Sequence, residues 1–482
     1  MKRKTLFIAV LMIIPVLLVA TAAPHPVSAQ STLPPLCSGF QLQNPSQTSS
    51  VTNIQVDFYQ VEGGTGTPAY SFSLPDIAAN SSAAFYVPSY SGFSTVPSGQ
   101  YSLIVNSGAP LNAIVNQRTC SGSPYVVSSY TGINENNVGT TVNLPYVLSR
   151  AFTQNYSSAI TVQNTGSSDT NVTLNFYQPG SSTAITPIPT HLIKAGESWY
   201  VDLSAGTYAV PALNGFAGSA TVTSASQTIA VVVTYGEGAG DNLLTYTGLL
   251  PSFGSQKLYA TQVDKFAYSQ QYVSGITLYN PNGSSTPVNI DYIPSGSTTP
   301  VYTMPVTIPA NSSYIQYLGS IDQIPNGFNG AAVVTVTSGS NKIFGIFNIR
   351  STSGQADAMY MIPQEVADTT LYMPQVVRNY SGGYNSGWQI VNTSSNTLSI
   401  SVEYWKVGST SPSYTQPITL GPNSAQVAYL GNSEFSPLGD NWNGSAIVKV
   451  TGGSGAVIAS VNLRAPGDGD TLSQYVAFNS NP

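Results

Sequence analysis

Apolar and polar residues alternate at a period of two along most of this chain. In residues 287–293, Val288, Ile290 and Tyr292 fall on one face while Asn289 and Asp291 fall on the other. Such alternation marks antiparallel strands with one dry face. Beyond residue 29 no stretch repeats apolar residues at helical spacing, and Gly, Ser, Asn and Pro interrupt every candidate within a few positions. The pattern predicts an all-β protein.

The strands recur. "WNGSAIVKVTGGSGAVIASVNLR" (442–464) has a near copy in "FNGAAVVTVTSGSNKIFGIFNIR" (328–350), each reading as an apolar hairpin about a Gly/Ser turn. An apolar run ending in Asn occurs four times: "GFQLQN" (39–44), "AITVQN" (159–164), "GITLYN" (275–280) and "GWQIVN" (387–392). Each is followed by a second strand, such as "NIQVDFY" (53–59) or "NVTLNFY" (171–177), and by a third after a turn, such as "IKAGESWYVDL" (193–203). Gly99, Gly218, Gly330 and Gly444, near the start of each hairpin, lie 119, 112 and 114 residues apart. Propeller blades and solenoid turns run about 20–50 residues, so this longer period fits an independent β-sandwich.

The expected architecture is four tandem Ig-like antiparallel β-sandwiches at 30–134, 142–250, 257–364 and 370–482, preceded by a leader at 1–29. Short polar joints, "NENNVGTT", "PSFGSQ" and "EVADTT", leave little slack and predict an elongated, semi-rigid array of roughly 140 Å. In the second hairpin strand one register is apolar throughout: Leu111, Ala113 and Val115; Ile229, Val231 and Val233; Ile343, Gly345 and Phe347; Val457, Ala459 and Val461. It is assigned to the core. The first unit is atypical, opening with only "QSTLPPL" before Cys37.

The N-terminus, "MKRKTLFIAVLMIIPVLLVATAAPHPVSA", joins a basic cluster, an apolar run and the small residues Val27, Ser28 and Ala29. It reads as a secretory leader cleaved after Ala29, with an uncleaved anchor as the alternative. The chain is then expected outside the cell, at most non-covalently held at its surface, without a later membrane span. In that setting Cys37 and Cys120 are expected to form a disulfide, two buried thiols being the alternative.

Charged residues make up 7 % of the chain, against about 25 % in typical soluble domains. Without Lys2, Arg3 and Lys4 the net charge is near −9, leaving no basic stripe for nucleic acid. Catalytic chemistry finds little material. His191 is the single histidine after the leader, in a turn context, and the glutamates are scattered; neither a Ser-His-acid arrangement nor a carboxylate pair is legible. Cysteine–histidine zinc sites are excluded by inventory, and no cofactor or metal is expected. The loops at 235–242 and 465–470 gather Asp, Glu and Gly without the twelve-residue calcium pattern, and turn formation explains them.

Three further features carry expectations. Units one, three and four end their hairpin in Asn-x-Arg, and the same units carry an acid on the preceding outward strand. Cross-strand pairs Asp57–Arg118, Asp291–Arg350 and Glu403–Arg464 are therefore expected, each worth about 0.2–1 kcal/mol. The Gly-rich stretch 379–388 offers Tyr380, Tyr384 and Trp388 as an aromatic platform for glycans, packing against the protein being the commoner use of such rings. Asn-x-Ser/Thr triplets, from Asn80 to Asn443, are potential glycan acceptors.

The stretches "ITVQNTGSSDTNVTLNFY" (160–177) and "IKAGESWYV" (193–201) resemble bacterial secreted Ig-like repeats, similar to the cell-adhesion-related domain found in bacteria. The resemblance covers nearly all the chain after the leader and rests on strand and turn patterns. It implies adhesion, surface layers or spacing of other modules, with no catalytic residues to carry over. The expected function is a non-enzymatic extracellular scaffold whose partners are surface proteins, glycans or further copies of itself. The alternative is a carbohydrate-binding accessory array.

Overall fold

The computed structural model describes residues 4–8, 36–120, 125–153, 155–236, 243–269, 271–352, 357–361, 367–465 and 469–479. It is nearly all β, with 58 % strand in seven sheets. The helical stretches among the described residues are 3-10 turns of three to six residues. "First" to "fourth segment" below denote the stretches 36–134, 141–250, 257–361 and 367–479.

The fourth segment shows the plan. One sheet runs Tyr414–Leu420, Leu398–Lys406, Trp442–Gly452, Thr370–Arg378, Phe478–Asn479; the other runs Ala425–Tyr429, Asn385–Asn392, Val457–Arg464, Leu472–Val476. All these neighbours are antiparallel. The two strands read as a hairpin therefore lie in opposite sheets, and the Gly/Ser turn is an arch over the core. Ala446 and Val448 on one arm and Val457, Ala459 and Val461 on the other belong to one apolar cluster. Their dry registers face each other across the interior, which an edge-to-edge hairpin would not allow. Gly453 turns the arch at φ +87°, where an added Cβ would lie 2.4 Å from the Thr397 carbonyl oxygen.

The recurring Asn explains itself as a buried turn anchor. Asn392 Nδ2 donates to the carbonyls of Asn396 (2.7 Å), Leu420 (3.3 Å) and Gly421 (2.8 Å), and its Oδ1 accepts from the Ser394 amide (2.9 Å). Asn44, Asn164 and Asn280 make the same kinds of bond. All four are 0 % exposed. A side chain with two donors and one acceptor is needed there, so Asn recurs where strand residues vary.

Buried apolar residues fall into four large clusters, and the register assigned to the core lies in them, glycine apart. Each cluster also admits a neighbour's residue. Ala230 and Val232 enter the first segment's cluster, Ile346 the second's, Leu472 the third's, and Ile114 the fourth's. The succession is cyclic.

Hydrogen bonds follow the same circuit. The Gly66 amide donates to Glu197 Oε1 (2.7 Å), the Gly180 amide to Ser312 Oγ (2.5 Å), Asn462 Nδ2 to Gln262 Oε1 (2.8 Å), and Asn116 Nδ2 to Gln375 Oε1 (2.6 Å). Strands Tyr125–Thr131, Leu244–Thr247, Asp357–Met361 and Leu472–Val476 each adjoin the next, the last returning to the first. The elongated array is thus corrected to a closed ring. Its cause is a second buried face. Gln41, Gln163 and Gln389 sit on strands of the inner sheets, yet they are 0, 0 and 1 % exposed. A face of amides and hydroxyls looks solvated in sequence but here packs on the neighbouring segment.

Residues read as leader also enter the fold. Lys4–Ile8 is a strand paired antiparallel with Tyr101–Ser107 and with Ile133–Asn134. The rest of the expected leader lies outside the described residues.

Candidate functional site: a cleft where the ring closes

Between the first and fourth segments lies a cleft of about 440 Å³. Three elements build it. The first is the sheet carrying Asn112–Thr119, whose end presents Asn116 and Arg118. The second is the edge strand Ser82–Tyr86, which supplies Tyr86. The third is the Gly-rich loop of the fourth segment, which supplies Tyr380 and Tyr384.

The loop is held tightly. The amides of Tyr380 and Tyr384 donate to each other's carbonyls at 2.9 and 2.8 Å, with Gly382 and Gly383 at φ +90° and +128° between them. Asn385 ties its base, donating to Asn379 Oδ1 (2.9 Å) and to the Gly383 carbonyl (3.1 Å). Outside the loop, Asp440 accepts from Asn379 Nδ2 (2.8 Å) and from Arg378. Those bonds, that of Asn379 first, hold its carboxyl below the usual range.

Arg118 lies 4.6 Å above the Tyr86 ring and donates to Tyr384 Oη at 3.5 Å, so one guanidinium spans the seam. Such stacking leaves the planar fork of donors aligned. Among the described lining residues there is no carboxylate, histidine or lysine; the walls are amides, hydroxyls, aromatic rings, aliphatic side chains such as Val127, Val377 and Leu463, and this one cation. That set can hydrogen-bond a polyol and cover an apolar ring face.

The structure redistributes the residues singled out above. Cys37 and Cys120 form a disulfide, and Cys37 borders the cleft. Tyr380 and Tyr384 come together in it, but Trp388 does not. It is 1 % exposed in the fourth segment's core, its indole N–H donating to Tyr404 Oη at 2.8 Å. Of the three aromatic residues singled out, Tyr380 and Tyr384 are thus at the cleft and Trp388 is in the core.

The three expected ion pairs are also corrected: Asp57 and Arg118, like Glu403 and Arg464, occupy different sheets, and the strands of Asp291 and Arg350 are separated by three others in one sheet. Asp57 lies opposite Ile104 and Ser71, whereas Arg118 lies opposite Cys37 and Val127. Asp57 instead accepts from Gln55 (2.8 Å), Ser71 (2.7 Å) and Asn106 (3.1 Å). Asp291 accepts from Thr303 (2.6 Å), and Glu403 pairs with Lys449 at 2.9 Å. Arg350 lies 5.8 Å from the ring centre of Tyr156 in the second segment, while Arg464 is exposed. The Asn-x-Arg ending serves the seams: Asn116 and Asn462 donate across them, and Arg118 and Arg350 meet a neighbour's tyrosine.

Sequence reasoning missed Tyr86, Asn116 and Gln375 as neighbours in one site. The parallel between Gln262 and Gln375 in "ATQV" and "MPQV" was the available signal. His191 stacks on Trp199 at 4.7 Å with the rings 9° apart. Of the two acidic loops, residues 237–242 and 466–468 lie outside the described residues, and no group of three His, Cys, Asp or Glu suited to a metal occurs among the described ones.

No protein-family model matches the chain, and no curated protein matches it. Among solved structures, a mutant of Salmonella alpha-2-macroglobulin aligns at 9 % identity with a TM-score of 0.11, over 94 % of this chain and 39 % of that one. This likeness is too weak to identify the fold or the function of the chain.

Proposed function

We propose that this chain is an exported, non-catalytic scaffold of four Ig-like sandwiches, working at or beyond the cell surface in structural or adhesive contacts. The leader-like N-terminus and the Cys37–Cys120 disulfide support export. The observation that carries the reading is the circuit of partly buried polar contacts, from Gly66–Glu197 round to Asn116–Gln375. It fixes the segments relative to one another, so a ligand meets a preformed surface rather than a chain of swivelling modules.

A second reading, carbohydrate binding, is favoured by the seam cleft, where Arg118, Tyr86, Tyr380 and Tyr384 stand among uncharged polar and aliphatic side chains. A glycan-array screen of the intact protein and of Tyr384→Ala tests both. Glycan binding abolished by the substitution supports the carbohydrate reading. Absence of glycan binding, with retention on cells or assembly with itself, supports the scaffold. Hydrolysis of any arrayed glycan overturns the non-catalytic assignment.

A further inference from the structure

The second, third and fourth segments each carry a first strand, Thr141–Ser149, Lys257–Ala267 and Thr370–Arg378. Each lies beside the strand that begins the arch. Between residues 36 and 134 no described strand takes that place. Lys4–Ile8 takes it instead, residue for residue. Leu6 stands opposite Val105 as Val142 does Val222, Leu258 does Val334 and Leu371 does Val448. On its other side Phe7 pairs with Ile133, as Tyr372 does with Phe478. Thr5-Leu6-Phe7-Ile8 even matches Thr370-Leu371-Tyr372-Met373 in residue type.

The place is a deep slot. Leu103 and Val105 on the strand beside it are 0 % exposed, and Ile133, Ala230 and Val232 are buried in the same apolar cluster. Ala230 and Val232 come from the second segment, so this cluster also reaches a seam. An empty slot would leave one strand edge unpaired and this apolar wall open, the condition under which sheets recruit a strand.

We propose that this edge of Tyr101–Ser107 is an acceptor site for one extended strand, and that its occupant after loss of the leader is a segment of another polypeptide. The inference rests on the expected cleavage after Ala29. The chain then retains only Gln30 to Pro35 ahead of the Leu36 strand. Those six residues end in two prolines, which cannot donate to a ladder. The occupant must therefore come from a partner. Its chemistry follows from the four strands that fit: it runs antiparallel to Tyr101–Ser107, with apolar residues at alternate positions around one that is usually aromatic.

The test uses two preparations, the full chain and the form recovered after export, with a labelled peptide of residues 2–9 as probe. The exported form is expected to bind the peptide one to one. Exchange of the amides of Tyr101–Ser107 that face the slot, on the edge opposite Ile54–Gln60, should slow at least tenfold on binding, and a peptide carrying Leu6→Asp should not bind. The full chain, already filled, is expected to bind at least tenfold more weakly. Should the exported form be too unstable to handle, full chain carrying Leu6→Asp and Ile8→Asp provides an emptied slot, expected to take up the wild-type peptide. Strong exchange protection, without residues 4–8, of the amides of Tyr101–Ser107 that point away from Ile54–Gln60, or failure of both emptied forms to bind, overturns the proposal. Retention of residues 4–8 in the exported protein overturns the partner as occupant.

Discussion

Ser129 and Ser473, 344 positions apart in sequence, bring their hydroxyl oxygens to 2.9 Å. Beside them Gln41 Nε2 donates to the Pro374 carbonyl at 2.5 Å, and Tyr372 Oη to that of Pro45 at 3.0 Å. A linear array would hold these groups several domain lengths apart. The pair Ser129→Cys with Ser473→Cys is expected to form a disulfide on mild oxidation, because two hydroxyls in contact place their carbons within reach of one. Non-reducing electrophoresis with peptide mapping reads it. Failure to cross-link in the folded protein would restore the open rod.

Trp388 and Tyr384 are four positions apart and have separate fates. Trp388→Ala is expected to destabilise the fourth segment by about 3–5 kcal/mol, the cost of emptying a large aromatic site. Tyr384→Ala, at the half-buried cleft wall, is expected to lower stability by no more than about 1–2 kcal/mol. Denaturant unfolding of the two variants checks the order, and comparable losses would contradict the assignment of Trp388 to the core and Tyr384 to the cleft.

Asp264 is wholly buried, and desolvation pushes its carboxyl up to about 6 despite hydrogen bonds from Asn329 (2.7 Å) and Gln262 (3.0 Å). Between pH 4 and pH 6 the folded state therefore holds a proton the unfolded chain has released. This contribution to stability falls as pH rises through that window, by on the order of 2–3 kcal/mol. Asp264→Asn is expected to remove that slope. Melting curves taken at pH 4 to 7 with unchanged slope in the variant would dismiss it.

The Cys37–Cys120 bond closes an interval of 83 residues, so its removal is expected to lower stability by about 4 kcal/mol on the loop-entropy model. Because Cys37 borders the cleft, the loss should appear in hydrogen exchange at both sides of the first-to-fourth seam. Confinement of the change to residues near Cys120 alone would argue against a seam role.

Replacing Asn392 by Ala removes its donations to the carbonyls of Asn396, Leu420 and Gly421. A cost of about 1–3 kcal/mol is expected for the buried groups left unpaired. Asn392→Asp, which keeps the size but loses the donors, should cost at least as much. Recovery of wild-type stability in the Asp variant would show that volume rather than hydrogen bonding is what the recurring position supplies.

Much of the fold was legible because the interior of each segment is apolar on a two-residue period, as in Val457, Ala459 and Val461. The ring was not. Gln41 and Gln389 occupy alternate positions that read as wet, yet both are buried; Gln41 is covered by a distant part of the chain, donating to the carbonyls of Pro374 and Gly444. The arch was misread for a related reason: two apolar strands joined by a short Gly/Ser turn look alike in sequence whether they pair edge to edge or face each other across a core. That one ambiguity also misplaced the ion pairs, since Asp57 and Arg118 stand on opposite layers. Of the site, Tyr380 and Tyr384 could be read from their Gly-rich loop, whereas the wall carrying Arg118 and Tyr86 depended on closure.

Three of the four junctions are bridged by continuous polypeptide, but the one joining Asn116 to Gln375 has no such tether across it. It is a clasp: the circle can part there without any change in the covalent chain, and the hollow beneath Arg118 is lost when it does. Whatever occupies that hollow must tighten the clasp by the same free energy that the clasp lends to its binding. Occupancy and circular shape are thereby one equilibrium.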